Sequence, residues 1–280
     1  MLCAWNELLA ILPVWMRREV DMLGRNNLQE LRLRVSEPPE LVLGSTIRYL
    51  DRQTTLEDLS TCVNTATRYS PWAGSTAAMG YITAPGGHRI GLCGEAVCRE
   101  GVVTGIREVS SLCIRVARDF PGIGKSAAAL DGSLLILGAP GWGKTTLLRD
   151  LSREFAKKDT VTVVDERGEI FPKGFTRGRR MDVLTGAPKS CGIEMALRTM
   201  GPDWIAVDEI TAEEDCRALA QAQGCGVRLL ATGHAGSLED FRLRSVYKPL
   251  LENHIFTYIL LLRPDKSYRT ERIHTWNSDG

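Results

Sequence analysis

Apolar positions follow different spacings in the first and second parts of the chain. Apolar and basic residues alternate over residues 31–35, and short apolar runs broken by Gly and Pro recur at 41–43, 47–50, 81–84, 89–97 and 111–116. This alternation predicts an antiparallel sheet. A helix is predicted over 55–69, because Thr55 and Asp58 have capping-box spacing, and another over 2–20 that covers the core. We therefore expect a smaller α+β domain over residues 1–120.

From about residue 125, short apolar runs of strand length alternate with segments of helical spacing. Strands are predicted at 134–137, 161–164, 205–207, 228–231 and 255–262, and helices at 145–157, 191–200, 212–223 and 238–247. Such alternation is typical of a parallel sheet with crossover helices. Pro and Gly within 120–124 mark a linker. The pattern predicts an α/β domain over residues 121–280.

The segment between the first strand and the first helix of this second domain fits G-x-x-x-x-G-K-[ST] at every position. It reads Gly138, Ala139, Pro140, Gly141, Trp142, Gly143, Lys144, Thr145, and Thr146 follows it. Glycines let backbone N–H groups surround a phosphate, and the helix N-terminus adds positive potential. Lys144 is expected to reach the β- and γ-phosphates and Thr145 to ligate Mg²⁺. This setting disfavours a chance glycine-rich turn and predicts ATP and Mg²⁺ as ligands.

Polar residues follow three of the predicted strands. Ligands of an open parallel sheet bind outside the carboxyl ends of its strands. Asp208 there could hold Mg²⁺ through water. Glu209 beside it, or Glu166 or Glu169 after the preceding strand, could activate the attacking water, and the sequence leaves this choice open. His234 follows a third strand, where it could sense the γ-phosphate. An isolated acid pair at a strand end is more often a helix cap or a solvated turn, but a P-loop in the same domain favours a nucleotide site.

Composition narrows the function classes. The 35 basic and 34 acidic residues give a net charge of +1, so no overall positive field indicates nucleic acid. The eight cysteines include no C-x-x-C pair, which argues against a zinc or disulfide framework. No signal peptide or membrane-spanning apolar run is apparent. A cytoplasmic protein is therefore expected.

Together these motifs resemble the stage III sporulation protein AA family, a branch of the secretion ATPases that power type II and type IV secretion and pilus motors. Residues 138–150, 164–170, 197–210 and 231–234 resemble that superfamily's Walker A, Asp box, Walker B and His box. Residues 31–39 resemble the start of its N-terminal domain, and 85–95 resemble the sporulation branch in particular. The resemblance implies a RecA-like P-loop ATPase domain. Asp208-Glu209 departs from the usual Gly-Glu of the superfamily's Walker B, and one extra residue separates 197–198 from 202–203.

Further expectations come from the resemblance alone. It implies a homo-oligomer, a six-subunit ring with nucleotide between subunits, in which arginines of the N-terminal domain complete the site. Arg89 and Arg115 are the candidates, and pairing with surface acids is their alternative role. It also implies membrane-protein partners in a channel-like assembly between mother cell and forespore. The ATPase would lie at the membrane periphery, on the mother-cell cytoplasmic side.

Other function classes stay open at this point. A P-loop small-molecule kinase would need an arginine-rich lid, for which residues 177–180 are the only candidate. A nucleic-acid translocase or RNA-binding P-loop ATPase would need a basic groove bearing aromatic residues, and only the small clusters at 17–18 and 177–180 could contribute. A ring scaffold without activity is disfavoured, because Lys144, Thr145, Asp208 and Glu209 share no obvious structural purpose.

Overall fold

The computed structural model describes residues 1–68, 80–172 and 174–273 and divides into two compact units. Unit 1 comprises Met1–Asp119 together with Pro172–Phe175, and unit 2 comprises Phe120–Phe171 and Thr176–Gly280. Residue 69, the expected end of a helix, and residues 274–280 lie outside the described residues. The functional division into domains at 120/121 stays a prediction.

Unit 1 contains a six-stranded sheet in the order β3-β2-β1-β6-β5-β4. Every neighbouring pair is antiparallel, as the alternation predicts. The strands are β1 Glu30–Arg34, β2 Glu40–Leu43, β3 Thr46–Tyr49, β4 Tyr81–Thr83, β5 Arg89–Arg99 and β6 Val102–Arg115. The predicted start of β6 at residue 111 is wrong, because β6 begins at Val102. The part that was missed is mostly exposed, so it carries no apolar period.

Among the described residues, three α-helices accompany this sheet: α1 Trp5–Ile11, α2 Val14–Leu23 and α3 Leu56–Thr67. The prediction of one helix over 2–20 is wrong, because the residue before Pro13 is extended and a new helix starts after it. The capping box of α3 is confirmed, with the Asp58 N–H 3.2 Å from Thr55 Oγ1 and the Thr55 N–H 2.9 Å from Asp58 Oδ2. Apolar residues of the helices and sheet form one core in unit 1.

Unit 2 contains a seven-stranded sheet in the order β13-β12-β7-β11-β10-β8-β9. All neighbours are parallel except β13, which is antiparallel to β12. The strands are β7 Leu134–Leu137, β8 Val161–Asp165, β9 Met181–Thr185, β10 Trp204–Val207, β11 Arg228–Gly233, β12 Tyr258–Leu262 and β13 Tyr268–Arg272. The apolar runs did not predict β9 and β13, which are edge strands with exposed polar positions.

The helices of unit 2 are α4 Lys144–Phe155, α5 Lys189–Thr199, α6 Glu213–Gly224, α7 Leu238–Leu243 and α8 Lys248–Glu252. The helix predicted over 238–247 is interrupted, since Arg244 is extended and Ser245–Tyr247 forms a separate 3₁₀ turn. The strand predicted from residue 255 begins instead at Tyr258. No helix among the described residues is long and apolar enough to cross a membrane.

Parallel pairing places the carboxyl ends of β7, β8, β10 and β11 at one edge of this sheet. Val207 at the end of β10 lies opposite Val164 of β8 and Ala231 of β11. Gly233 of β11 in turn lies opposite Leu137, the last residue of β7. The residues that follow these strands are therefore brought together.

Candidate nucleotide site

The loop from β7 to α4 depends on its glycines. Gly141 has φ +76° and Gly143 has φ +100°, in the left-handed region that glycine adopts without strain. A Cβ on Gly138 would lie 3.1 Å from Leu262 Cβ and 3.5 Å from Trp142 Cε3, so that position is sterically tight as well. The first turn of α4 has no side-chain cap. Its amide groups therefore remain available to an anion at the positive end of the helix.

Lys144 folds back over this loop. Its Nζ donates to the backbone oxygens of Gly138 at 2.9 Å and Ala139 at 3.2 Å. Burial lowers the pKa of Lys144 from its ordinary value, and the nearby Asp208 and Glu209 carboxylates oppose that shift. Because phosphate oxygens are stronger acceptors for an ammonium than neutral carbonyls are, the side chain is suited to exchange these contacts for phosphate.

Asp208 joins three elements of the site. Thr145 donates through Oγ1 to Asp208 Oδ2 at 2.7 Å, and Thr232 donates through Oγ1 to Oδ1 at 2.5 Å. The Glu209 backbone N–H donates to the same Thr232 oxygen at 2.7 Å. This network fixes the start of α4 and the ends of β10 and β11 around one carboxylate. The Thr145 hydroxyl and the Asp208 carboxylate supply the hard oxygen ligands that Mg²⁺ prefers.

The acidic segment after β8 is held by a buried carboxylate. Asp165 accepts from the backbone N–H groups of Glu169 at 2.8 Å and Phe171 at 2.9 Å, and from that of Ile170. From α4, Arg149 donates to the Glu169 backbone oxygen at 2.9 Å and also to that of Ile170. Glu169 and Ile170 are therefore anchored to the helix that follows the P-loop.

An acid-rich cleft lies between this segment and the residues after β10. It is lined by Val164, Asp165, Glu166, Arg167, Glu169, Lys189, Asp208 and Glu209. The three glutamates proposed to activate water thus share one cleft. Glu166 pairs with Lys189 at 2.7 Å, and Glu209 lies 3.7 Å from Arg167. Glu209 has φ +47°, a strained conformation for a residue other than glycine.

His234 lies one residue beyond β11, where its predicted role places it. Its backbone N–H donates to Tyr247 Oη at 2.9 Å. The Tyr247 hydroxyl lies 3.4 Å from the Ile210 backbone oxygen, and the ring stacks on Phe241 with centroids 4.7 Å apart. Burial raises the pKa of Tyr247. The main chain of His234 is thereby tied to the segment that follows Glu209.

Arg89 and Arg115 lie in unit 1, directly opposite each other on β5 and β6. The Arg89 guanidinium lies over the Tyr81 ring, 4.0 Å from its centroid. Arg115 forms an ion pair with Glu30 at 3.3 Å, and 67% of its side chain is exposed. Pairing with a surface acid, the alternative considered from the sequence, is therefore present for Arg115.

Two residues of the site, Arg149 and Lys189, were not predicted from the sequence. Arg149 sits inside α4, where helical periodicity alone gives no reason to select it. Lys189 begins α5 just beyond β9, so the rule that ligands bind after strand ends would have indicated it had β9 been predicted.

Comparison with known proteins gives both a family and a fold. The family described as "Sporulation stage III, protein AA" matches residues 5–274. Stage III sporulation protein AA of Bacillus subtilis (strain 168) is 35% identical over 277 residues, covering 92% of this chain and 90% of that protein. Among solved structures, the pilus retraction motor PilT aligns with a TM-score of 0.62 at 15% identity, over 94% of this chain and 78% of PilT. The Legionella pneumophila ATPase DotB aligns with a TM-score of 0.59 at 17% identity, over 93% and 80%. These two structures confirm the RecA-like ATPase fold.

Proposed function

We propose that this chain, which belongs to the Sporulation stage III, protein AA family, binds Mg-ATP at the carboxyl edge of the unit 2 sheet and hydrolyses it to ADP and phosphate. The observation that carries the proposal is the hydrogen-bonded set of Thr145, Asp208 and Thr232 beside a loop with left-handed glycines. The structure of PilT with bound ADP adds support from a protein of the same fold.

Mg²⁺ would be held by Thr145 and Asp208, and it would neutralise phosphate charge during transfer. These ligands fit the ion, because Mg²⁺ takes few protein oxygens and completes its shell with water and phosphate. The cleft carries more acidic than basic side chains. A polyphosphate would be repelled by the carboxylates without compensating cations, and Lys144 beside the loop is one cation that the chain itself provides.

The chain's own residues would then divide the work. Amides of the P-loop and of the first turn of α4 would bind the phosphates, and Lys144 would stabilise the charge that develops on transfer. Glu209 would orient or deprotonate water, with Glu166 and Glu169 as the alternatives in the same cleft. Glu209 has a left-handed backbone conformation that is fixed by Thr232. Because strain of this kind clusters at functional sites, it supports Glu209 as the residue that activates water.

Phosphate release with purified chain tests this proposal. Release from ATP is expected with Mg²⁺ and should be abolished by excess EDTA. If ADP forms only with an added small-molecule acceptor, and the phosphoryl group goes to that acceptor and not to water, the chain is a kinase. Stimulation only by RNA or single-stranded DNA would favour a translocase or RNA-binding ATPase. If the chain binds nucleotide but hydrolyses none under any of these conditions, a ring scaffold without activity is the remaining function class.

We also propose that the active form is a ring of several copies. Arg89 and Arg115 of unit 1 offer a way to test this. If Arg89 or Arg115 completes the site of another copy, dilute protein lacks a charge that the transition state needs. Specific activity should rise with protein concentration, and ATP should favour assembly by binding the assembled state more tightly. Sedimentation with and without ATP measures the second effect.

A mixing experiment separates a shared site from a self-contained one. Inactive Lys144→Ala chains retain their arginines, and inactive Arg89→Ala or Arg115→Ala chains retain their P-loop. Combining the two should restore part of the activity. No recovery at any ratio, despite verified co-assembly, would mean that each chain completes its own site.

The biological role follows from the family and is proposed on that basis. The chain would energise a channel-like membrane assembly during sporulation, from the cytoplasmic face on the mother-cell side. Membranes that carry the partner proteins should increase phosphate release and co-sediment with the chain. Equal rates and no co-sedimentation would contradict this role and leave the ATPase proposal intact.

A further inference from the structure

Lys189 lies at the junction of the acidic segments that flank the cleft. Its Nζ is 2.7 Å from Glu166 Oε2 and 3.9 Å from Asp215 Oδ2, and only 10% of its side chain is exposed. Glu166 follows β8, and Asp215 lies in the first turn of α6. A lysine is rarely buried unless it is paired, and here two carboxylates face its ammonium.

Asp215 connects Lys189 to the segment after the Walker B strand. Its Oδ2 accepts from the backbone N–H groups of Thr211 at 3.1 Å and Ala212 at 3.3 Å. Thr211 lies only two residues after Glu209. The ammonium of Lys189 therefore contacts two acids. It pairs with Glu166 in the segment after β8, and it faces Asp215, which binds the backbone of the segment after β10.

The position of Lys189 relative to β8 is tightly defined. Gly192, one turn further along α5, lies so close to β8 that a Cβ there would be 2.5 Å from Val164 Cγ1. Val164 is two residues before Glu166. A helix packed this closely cannot move nearer to β8 without a steric clash, and its first turn places Lys189 at the wall of the cleft.

We propose, on the basis of the proposed ATPase activity, that Lys189 is a positioning residue for hydrolysis. By contacting both Glu166 and Asp215, Lys189 holds the segment after β8 close to the segment after β10. It thereby fixes the acids of the cleft around the reacting phosphate. Replacement by a neutral side chain would leave Glu166 and Asp215 without the cation between them. Like-charge repulsion would then separate the two segments and displace the acids.

The effect should appear in turnover more than in substrate binding. Lys189→Met should lower kcat about 10- to 100-fold, the size expected when a catalytic group is misplaced by about 1 Å. KM for ATP should stay within about threefold, because the P-loop and Lys144 remain intact. Lys189→Arg, which keeps the cation, should recover part of the loss.

Lys157→Met is the matched control. Lys157 lies in the same unit and pairs with Glu154 at 2.5 Å, but 59% of its side chain is exposed. Its kcat should equal that of the wild type. Each variant is assayed at least 10 °C below its own melting temperature, so that a loss of turnover does not reflect unfolding. If Lys189→Met does not fold, Lys189→Gln replaces it throughout.

Double-mutant cycles with Glu166→Gln and with Asp215→Asn decide whether Lys189 acts through these acids. The kcat losses should be non-additive in at least one cycle, because the second change removes a partner that is already displaced. Losses that multiply in both cycles, or a kcat within about threefold of wild type, would overturn the proposal. If the wild type itself hydrolyses no ATP, the proposed function fails, whereas an active wild type with an unaffected Lys189→Met refutes only the role of Lys189.

Discussion

The two sheets of this protein use their charged residues differently. In unit 1 the charges lie along strand faces and pair there: Glu30 of β1 pairs with Arg32 of the same strand at 2.5 Å and with Arg115 of the adjacent strand β6 at 3.3 Å. In unit 2 the four-residue strands β7 and β10 are entirely buried, and the polar groups collect just beyond their carboxyl ends. An antiparallel sheet with an exposed face can satisfy its charges locally, whereas a parallel sheet concentrates them at one edge.

Changes at the edge of the unit 2 sheet are therefore expected to alter chemistry, whereas changes within unit 1, apart from those at Arg89 and Arg115, are expected to alter stability. Among the acidic residues of this edge, the largest effect is expected for Glu209→Gln. Loss of the carboxylate with its shape retained should slow hydrolysis about 10²- to 10⁴-fold while Mg-ATP binding persists. Single-turnover phosphate release together with nucleotide binding measures both. If Glu166→Gln or Glu169→Gln shows this effect instead, water activation belongs to the β8 segment.

Thr232→Val should have a smaller effect on turnover than Glu209→Gln. The change keeps the shape but removes the hydroxyl that contacts Asp208 and the Glu209 N–H. We expect kcat to fall about 10-fold, in line with about 1–3 kcal/mol for polar groups left unsatisfied. Steady-state kinetics in Mg-ATP measures this.

Thr162→Val is the control for that substitution. Thr162 is buried on β8, two strands away from Thr232 in the same sheet, and within the described residues its hydroxyl has no hydrogen-bond partner. The change should leave kcat as it is. An equal loss of kcat in both variants would show that Asp208 does not depend on Thr232.

In unit 1, Gly86→Ala should destabilise the fold. Gly86 has φ +78°, and a Cβ there would lie 2.4 Å from Ala4 Cβ. Gly24 has nearly the same φ, +75°, and nothing within 4 Å of the added atom. Backbone strain should cost Gly24→Ala about 1 kcal/mol, and the added clash should raise the cost of Gly86→Ala to about 3 kcal/mol. Urea unfolding measures both, and equal losses would exclude the steric contribution.

The smallest effect is the pH dependence of unit 1 through His88. The Ala117 N–H donates to Nδ1 at 3.1 Å, so Nε2 carries the proton and donates to the Ala4 oxygen at 2.9 Å. Burial lowers the pKa of His88 below its ordinary 6.5, against the opposing effect of the Ala4 hydrogen bond. The unfolded chain therefore binds a proton that the folded chain excludes. The contribution of neutral His88 to the free energy of unfolding is fully present above pH 6.5 and declines as the pH falls below that value.

That decline can reach about 1.4 kcal/mol per pH unit. Urea unfolding at several pH values below 6.5 measures it. His88→Gln, which has no titratable ring, should flatten this part of the profile. Matching slopes in the two proteins would assign the decline to other groups.

The sequence predicted the regular parts of this fold and left out the parts without an apolar signal. Fully buried strands such as β7 and β10 were located within a residue, because burial on both faces gives a continuous apolar run. The edge strands β9 and β13 and the exposed half of β6 gave no such run. Pro13 indicates a helix break, but the apolar residues on both sides of it favoured a single helix over 2–20, and that prediction was wrong.

The residues of the site likewise divide into those with a signal in the sequence and those without one. Lys144, Thr145 and Asp208 were predicted because their spacing and strand context are specific, and the structure brings them together. The roles of Arg149 and Lys189 depend on contacts between segments far apart in sequence, such as Lys189 with Glu166 and Asp215. Neither spacing nor composition encodes such contacts.

The central claim, a phosphate site built at the carboxyl edge of the unit 2 sheet, is tested most directly by replacing Lys144 beside a matched lysine. Lys144→Ala and Lys157→Ala each remove one ammonium near opposite ends of α4. Lys144→Ala should weaken binding of a fluorescent ATP analogue and abolish phosphate release, while Lys157→Ala should behave as wild type. Unchanged turnover in Lys144→Ala, measured on folded protein, would contradict the central claim.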